Sequence, residues 1–102
     1  MTKIENLTPA SFSEISKKTF RLNLPETDVL ELELIKVDDL GSIGKQERFS
    51  VLFRGPLDRG VQQGSYSFEH EELGTFELFI VPISRQEEGF VYEAAFNRIK
   101  KG

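Results

Sequence analysis

The chain has 102 residues, of which 38% are hydrophobic, and carries a formal net charge of −4, with 17 acidic against 13 basic side chains. This length is typical of one domain with one hydrophobic core, and an acidic surface repels phosphate backbones, so we expect no nucleic-acid partner. The absence of cysteine excludes disulfides, thiolate catalysis and cysteine-based zinc sites.

The first residues lack the apolar stretch of a signal peptide, and no part of the chain approaches the roughly 20 apolar residues that a membrane span requires. We therefore expect cytoplasmic synthesis and no membrane span.

A short helix is predicted at about 9–17. Thr8 suits an N-cap position and Pro9 the first helical position, while Phe12 and Ile15 lie three residues apart on one face. Because this apolar stripe is narrow, the helix is expected to pack on a larger element.

Six segments alternate between apolar and polar residues, the pattern of strands with one buried face. Phe20, Leu22 and Leu24 show it in the first strand. In the second, the apolar phase shifts from Leu34 to Ile35, which predicts a β-bulge. The predicted strands lie at about 19–24, 29–38, 47–54, 65–71, 75–83 and 90–98.

The connections between these strands complete the predicted fold. Residues 38–44 are interpreted as a loop, and the turn at Leu73 and Gly74 predicts a hairpin. The strand at 75–83 is apolar on both faces, which favours a central strand or one covered by the helix. We predict an all-β fold over 1–102: a small antiparallel sandwich or barrel of about six strands with one short N-terminal helix. An open sandwich would leave edges for self-association or strand addition.

His70 is the single histidine, and it stands among Glu69, Glu71 and Glu72. Strand alternation directs Glu69 and Glu71 away from His70, so we expect a solvated strand end rather than a metal site or an acid–base pair. There is no Gly-x-Ser-x-Gly elbow, and no carboxylate pair is marked by its spacing. We expect no enzyme activity, no metal and no cofactor.

The longest irregular stretch follows Arg54 and runs to Gly64, and long loops on small domains often carry binding sites. A guanidinium here could hold a partner's carboxylate in bidentate fashion, although an internal ion pair explains the same residues. The candidate residues for contact with a protein partner are Arg54, Asp58, Arg59, Gln62 and His70.

Four sequence blocks carry a resemblance to a known family. They are the LFRGP turn at 52–56, the G-x-Y-x-x-E-H strand at 64–70, Val81 with Pro82, and the Y-E-A-x-F-N ending at 92–97. With these blocks the chain resembles, over about 7–97, a family of short bacterial proteins of unknown function. The resemblance implies genomic association with phage-tail-collar-type fibre proteins, and it brings no catalytic residues.

Two non-enzymatic functions remain open at this point, beside a third and less favoured one, an acid–base enzyme that uses His70 with a glutamate. The first is a structural or assembly protein that binds a protein partner or itself, as an accessory component of a phage-derived or tail-fibre-like assembly. Release by lysis would carry such a particle out of the cell. The alternative is a small-ligand or carbohydrate-binding β-domain, which the filled interior expected of a six-stranded, Phe-rich barrel does not favour.

Overall fold

The computed structural model describes residues 7–25 and 28–99. The predicted domain of 1–102 also includes residues 1–6, 26, 27 and 100–102, which lie outside the described residues. Within the described ranges the chain forms one short helix and six strands. They are α1 (Pro9–Ser13), β1 (Thr19–Leu24), β2 (Asp28–Ile43), β3 (Gln46–Gly55), β4 (Gly64–His70), β5 (Gly74–Gln86) and β6 (Gly89–Ile99).

The six strands close into an antiparallel barrel with the order β1-β2-β3-β6-β5-β4. The predicted all-β class is confirmed, and of the two architectures left open by the sequence the barrel is the one observed. Alternate residues of each strand point into the barrel, where they are buried. These inward side chains include Phe20, Leu22, Leu30, Leu32, Phe49, Val51, Phe53, Phe68, Phe76, Leu78, Ile80, Tyr92, Ala94 and Phe96.

Helix α1 packs on the barrel through Phe12, which is fully buried. The centroid of its ring lies 6.2 Å from that of Phe20, 6.4 Å from Phe49, 6.4 Å from Phe76 and 5.8 Å from Phe96. These four rings belong to β1, β3, β5 and β6, so one helical side chain joins four strands of the core.

The helix begins as predicted and ends earlier than predicted. The Thr8 hydroxyl accepts from the Ser11 N–H, and Pro9 occupies the first turn. The helix ends at Ser13 rather than near residue 17: the Glu14 N–H still donates to the carbonyl of Ala10 and closes the last turn, but the N–H groups further along bond outside the helix. The N–H groups of Ser16 and Lys17 both donate to the carboxylate of Glu72.

Strand β2 is longer than predicted, and the loop predicted at 38–44 is wrong. The strand continues to Ile43 and returns into β3. Gly41 and Gly44 adopt positive φ angles of 81° and 60°, which allow a bulge and a tight hairpin turn. Two register shifts interrupt the pairing with β3, and the first, between Leu34 and Lys36, confirms the predicted bulge.

The predicted hairpin of β4 and β5 is confirmed by the pairing of His70 with Gly74. Of the two alternatives predicted for β5, a central strand or a strand covered by the helix, the structure shows the first, since β5 pairs with β4 on one side and β6 on the other. Its outer face is not covered, with Phe79 53% and Ile83 48% exposed, because α1 lies against β2 and β3 and meets β5 on the inner face, where Phe12 contacts Phe76. No helix in the part of the chain that the structure describes is long and apolar enough to cross a membrane.

Candidate protein-binding surface

The loop of residues 56–63 joins the end of β3 to the start of β4. Helix α1 packs near the beginning of β3, where Phe12 meets Phe49. Because β3 runs from that end of the barrel to Gly55, the loop lies at the opposite end. We call residues 56–63 the end loop.

Two tyrosines fix the end loop to the barrel. The hydroxyl of Tyr92, whose side chain is fully buried, accepts from the N–H of Val61 at 3.0 Å. The hydroxyl of Tyr66 donates to the carbonyl of Gln62 at 2.6 Å. A Cβ atom on Gly60 would lie 3.1 Å from the ring of Phe90, so the backbone packs closely there. The loop therefore has a defined shape although it lacks regular secondary structure.

The two candidate arginines form internal ion pairs with β2. Arg59 pairs with the carboxylate of Asp28, and Arg54 lies 3.1 Å from the carboxylate of Glu33. Asp28 and Glu33 are five residues apart on one strand, which separates them by roughly 16 Å. The structure therefore does not bring both guanidiniums to one carboxylate. Both side chains stay partly exposed, so neither ion pair contributes strongly to stability.

The remaining loop candidates are free to contact a partner. Asp58 and Gln62 are exposed, and Leu57 between Pro56 and Asp58 is exposed as well. Only the backbone carbonyl of Gln62 takes part in the anchoring, so its side-chain amide is not needed there. The end loop thus presents an apolar, an acidic and an amide side chain on a fixed backbone.

His70 lies at the other end of the barrel and is buried, with 5% of its surface exposed. Its Nε2 atom is 2.7 Å from the carbonyl of Lys17, and its Nδ1 atom accepts from the N–H groups of Glu72 and Leu73. The ring also packs 4.4 Å from that of Phe20. The expectation of a solvated strand end is wrong, and His70 is not part of a surface with the end loop.

The buried state of His70 has a signal in the sequence. On β4 the residues Tyr66 and Phe68 point toward the core, and His70 continues the same alternation. Because polar residues flank His70 on both sides, the composition of the segment alone suggests an exposed strand end.

The carboxylates near His70 are engaged in structural contacts. Hydrogen bonds from the backbone N–H groups of Lys17 and Ser16 lower the pKa of Glu72 below its ordinary value. Those from the side chains of Asn23 and Arg21 lower the pKa of Glu69. Among residues 7–25 and 28–99 there is no group of three or more His, Asp or Glu side chains placed to hold a metal ion.

Comparison with known proteins gives one finding. A family model described as a domain of unknown function (DUF6916) matches residues 7–96, which include all of the barrel up to the last residues of β6. No curated protein and no solved structure gives a significant match to the chain.

Proposed function

This chain belongs to the DUF6916 family, a domain of unknown function, and we propose that it is a non-enzymatic assembly protein that binds another protein through the end loop. The observation that carries the proposal is the anchoring of this loop by Tyr66 and Tyr92 while Leu57, Asp58 and Gln62 stay exposed. A loop already fixed in shape loses little conformational entropy when it binds. The sequence resemblance supports a partner in a phage-derived or tail-fibre-like assembly.

The packing of the barrel favours this proposal over binding of a small ligand or carbohydrate inside the fold. Phe20, Phe53, Phe68 and Phe76 fill the interior, with ring centroids 5.2 Å apart for Phe20 and Phe53 and 5.4 Å apart for Phe53 and Phe68. A small-ligand site is typically a concave pocket lined mostly by apolar side chains, with a few polar groups that orient the ligand. An outer depression of about 260 Å³ beside Glu31, Glu33 and Arg54 is shallow and highly charged.

The proposal predicts that a charge reversal in the end loop reduces partner capture. Tagged wild-type protein and the Asp58→Lys variant would be used to capture binding proteins from the native host, and the bound proteins quantified by mass spectrometry. We expect Asp58→Lys to reduce the amount of the specific partner at least fivefold, because the exposed carboxylate lies in the proposed contact. Glu77→Lys is the matched control, since Glu77 is also exposed but lies on the outer face of β5.

Equal capture by Asp58→Lys and wild type would exclude the end loop as the interface. Recovery of no specific partner by either protein would favour the ligand-binding alternative, which a thermal shift on addition of sugars would then test. The Arg54→Ala and Arg59→Ala variants are less direct, because each also breaks an ion pair with β2.

A further inference from the structure

A depression of about 230 Å³ lies between helix α1 and strand β2. It forms where the pairing of β1 with β2 ends. The last pair joins Thr19 to Glu33, and the next N–H of β2, that of Leu34, donates to the carbonyl of Lys18 at 2.8 Å. Beside residues 35–37 no strand lies on the β1 side among the described residues, so this space stays open. We call it the α1–β2 depression.

The floor of the α1–β2 depression is apolar. Phe12 is fully buried and Leu34 is 7% exposed, and Val37 packs against the same core. Ile35, the extra residue of the β-bulge, also lines the depression and is 37% exposed. Bulges redirect side chains and often occur beside functional sites, and this one adds an aliphatic side chain to the floor.

The rim of the α1–β2 depression is cationic. It is formed by Lys18, Lys36 and the hydroxyl-bearing Ser13, and none of the described lining residues is acidic, although the whole chain carries a net charge of −4. The ammonium of Lys18 donates to the carbonyl of Ile15 at 2.9 Å. This hydrogen bond holds the ammonium in place and uses one of its three donors, so the other two can bind an anion.

Lys36 is available to an anion as well. Its ammonium lies 3.4 Å from the carboxylate of Asp38, and both side chains are exposed to solvent, at 60% and 39%. An exposed ion pair of this kind contributes little to stability. A carboxylate that binds at the rim can therefore displace Asp38 at small cost and contact Lys18 and Lys36 together.

An apolar floor below a cationic rim complements a carboxylate attached to an aliphatic group. The depression is smaller than the pockets that enclose small-molecule ligands, which measure about 300–1,000 Å³. A free fatty acid would leave most of its chain in water, whereas one side chain of a peptide fills the floor while the rest of the peptide stays outside. Chain-terminal carboxylates are bound in this way by other proteins. We propose that the α1–β2 depression binds the C-terminus of a partner protein, with an aliphatic side chain on the floor and the terminal carboxylate between Lys18 and Lys36.

This site is separate from the end loop, which lies at the opposite end of the barrel, so each proposal can fail without the other. N-acetyl-L-leucine carries one aliphatic side chain and one free carboxylate and serves as the probe. In a nuclear magnetic resonance titration of the isotope-labelled full chain, we expect saturable shifts of the backbone amide signals of Ser13, Lys18 and residues 34–37. No saturable shift of these signals up to the solubility limit of the probe would overturn the inference.

Three further compounds test which part of the probe is bound. N-acetyl-L-leucinamide lacks the charge and acetate lacks the side chain, so each is expected to bind at least fivefold more weakly than N-acetyl-L-leucine. Equal binding of the amide would overturn the role of the carboxylate. Octanoate has the same charge on a longer chain, and binding of octanoate at least tenfold tighter than the leucine probe would overturn the peptide assignment in favour of a free fatty acid.

Two charge reversals test the rim. Lys18→Glu and Lys36→Glu are each expected to weaken binding of N-acetyl-L-leucine at least threefold, because each places a carboxylate where the probe's carboxylate binds. Lys45→Glu changes the net charge by the same amount at an exposed position in the turn between β2 and β3, and it is expected to bind the probe as wild type does. If the two rim variants bound the probe as tightly as Lys45→Glu does, the inference would be overturned.

Discussion

At the scale of single residues, His70 shows how a buried polar side chain joins parts of the chain that are distant in sequence. Its Nδ1 atom accepts from two N–H groups in the turn after β4, so this nitrogen carries no proton, and Nε2 donates to the carbonyl of Lys17. All the polar groups of the ring are thus satisfied inside the fold, as buried polar groups usually are.

Replacement of His70 by Ala is expected to destabilise the protein by roughly 2–4 kcal/mol, because three backbone groups lose their partner and the ring leaves a cavity. Urea unfolding measures the change. Glu71→Gln is the control, since Glu71 is exposed and contributes only a surface ion pair with Lys17, and we expect a much smaller effect. If both variants unfolded at the same urea concentration as wild type, the structural role of His70 would be refuted.

At the scale of elements, the carboxylate of Glu72 connects the turn between β4 and β5 to the segment that follows α1. It accepts from the N–H groups of Ser16 and Lys17 and from the Ser16 hydroxyl. These hydrogen bonds, first among them that of Lys17, lower the pKa of Glu72 below its ordinary value of 4.5. The contact takes the place of further helical hydrogen bonds and ends α1 at Ser13.

The lowered pKa of Glu72 fixes the sign of a pH effect. Because the folded protein binds the proton less readily than the unfolded chain, the stabilising contribution is complete well above pH 4.5 and disappears as the pH falls through the folded pKa. We expect the difference in unfolding free energy between wild type and Glu72→Gln to be largest near pH 7 and to shrink toward about pH 3. Urea unfolding across this pH range checks it, and a difference that grew on acidification would contradict it.

The elements also show how far the sequence predicts the fold. The alternation at Phe20 and Leu22 predicted β1, and the phase shift at Leu34 predicted a bulge. Both features could be predicted because they depend only on residues that are adjacent in the sequence. The prediction of a loop at 38–44 was wrong, because glycine and polar residues are common in loops and equally common in bulges and hairpin turns. Here Gly41 lies in a bulge and Gly44 in a hairpin turn.

The sequence likewise predicted the position of the candidate surface but not the contacts that shape it. The end loop was identified from its length, but its anchoring by Tyr66 and Tyr92 depends on contacts between distant segments. The ion pairs of Arg54 and Arg59 likewise join positions far apart in the sequence. His70 was misplaced because the polar residues around it outweighed its inward position on β4.

At the scale of the whole molecule, alternation shows which face of a strand is buried but not which strands are neighbours. The barrel depends on pairing between elements far apart in the chain, β1 with β4 and β3 with β6. Phe12 belongs to the helix rather than to the sheet, but it supports these pairings, because its buried ring contacts the aromatic side chains of four strands. Helix α1, only five residues long, therefore contributes to the closure of the barrel.

Removal of the Phe12 ring tests this contribution. Phe12→Ala leaves a cavity between β1, β3, β5 and β6, and we expect it to lower the free energy of unfolding by about 3–5 kcal/mol. Phe79→Ala removes an equal volume from a half-exposed position on β5, so its effect should stay below about 1 kcal/mol. Chemical denaturation monitored by circular dichroism measures both. Comparable losses for the two variants would mean that the aromatic core does not depend on α1, and that the barrel closes through strand pairing alone.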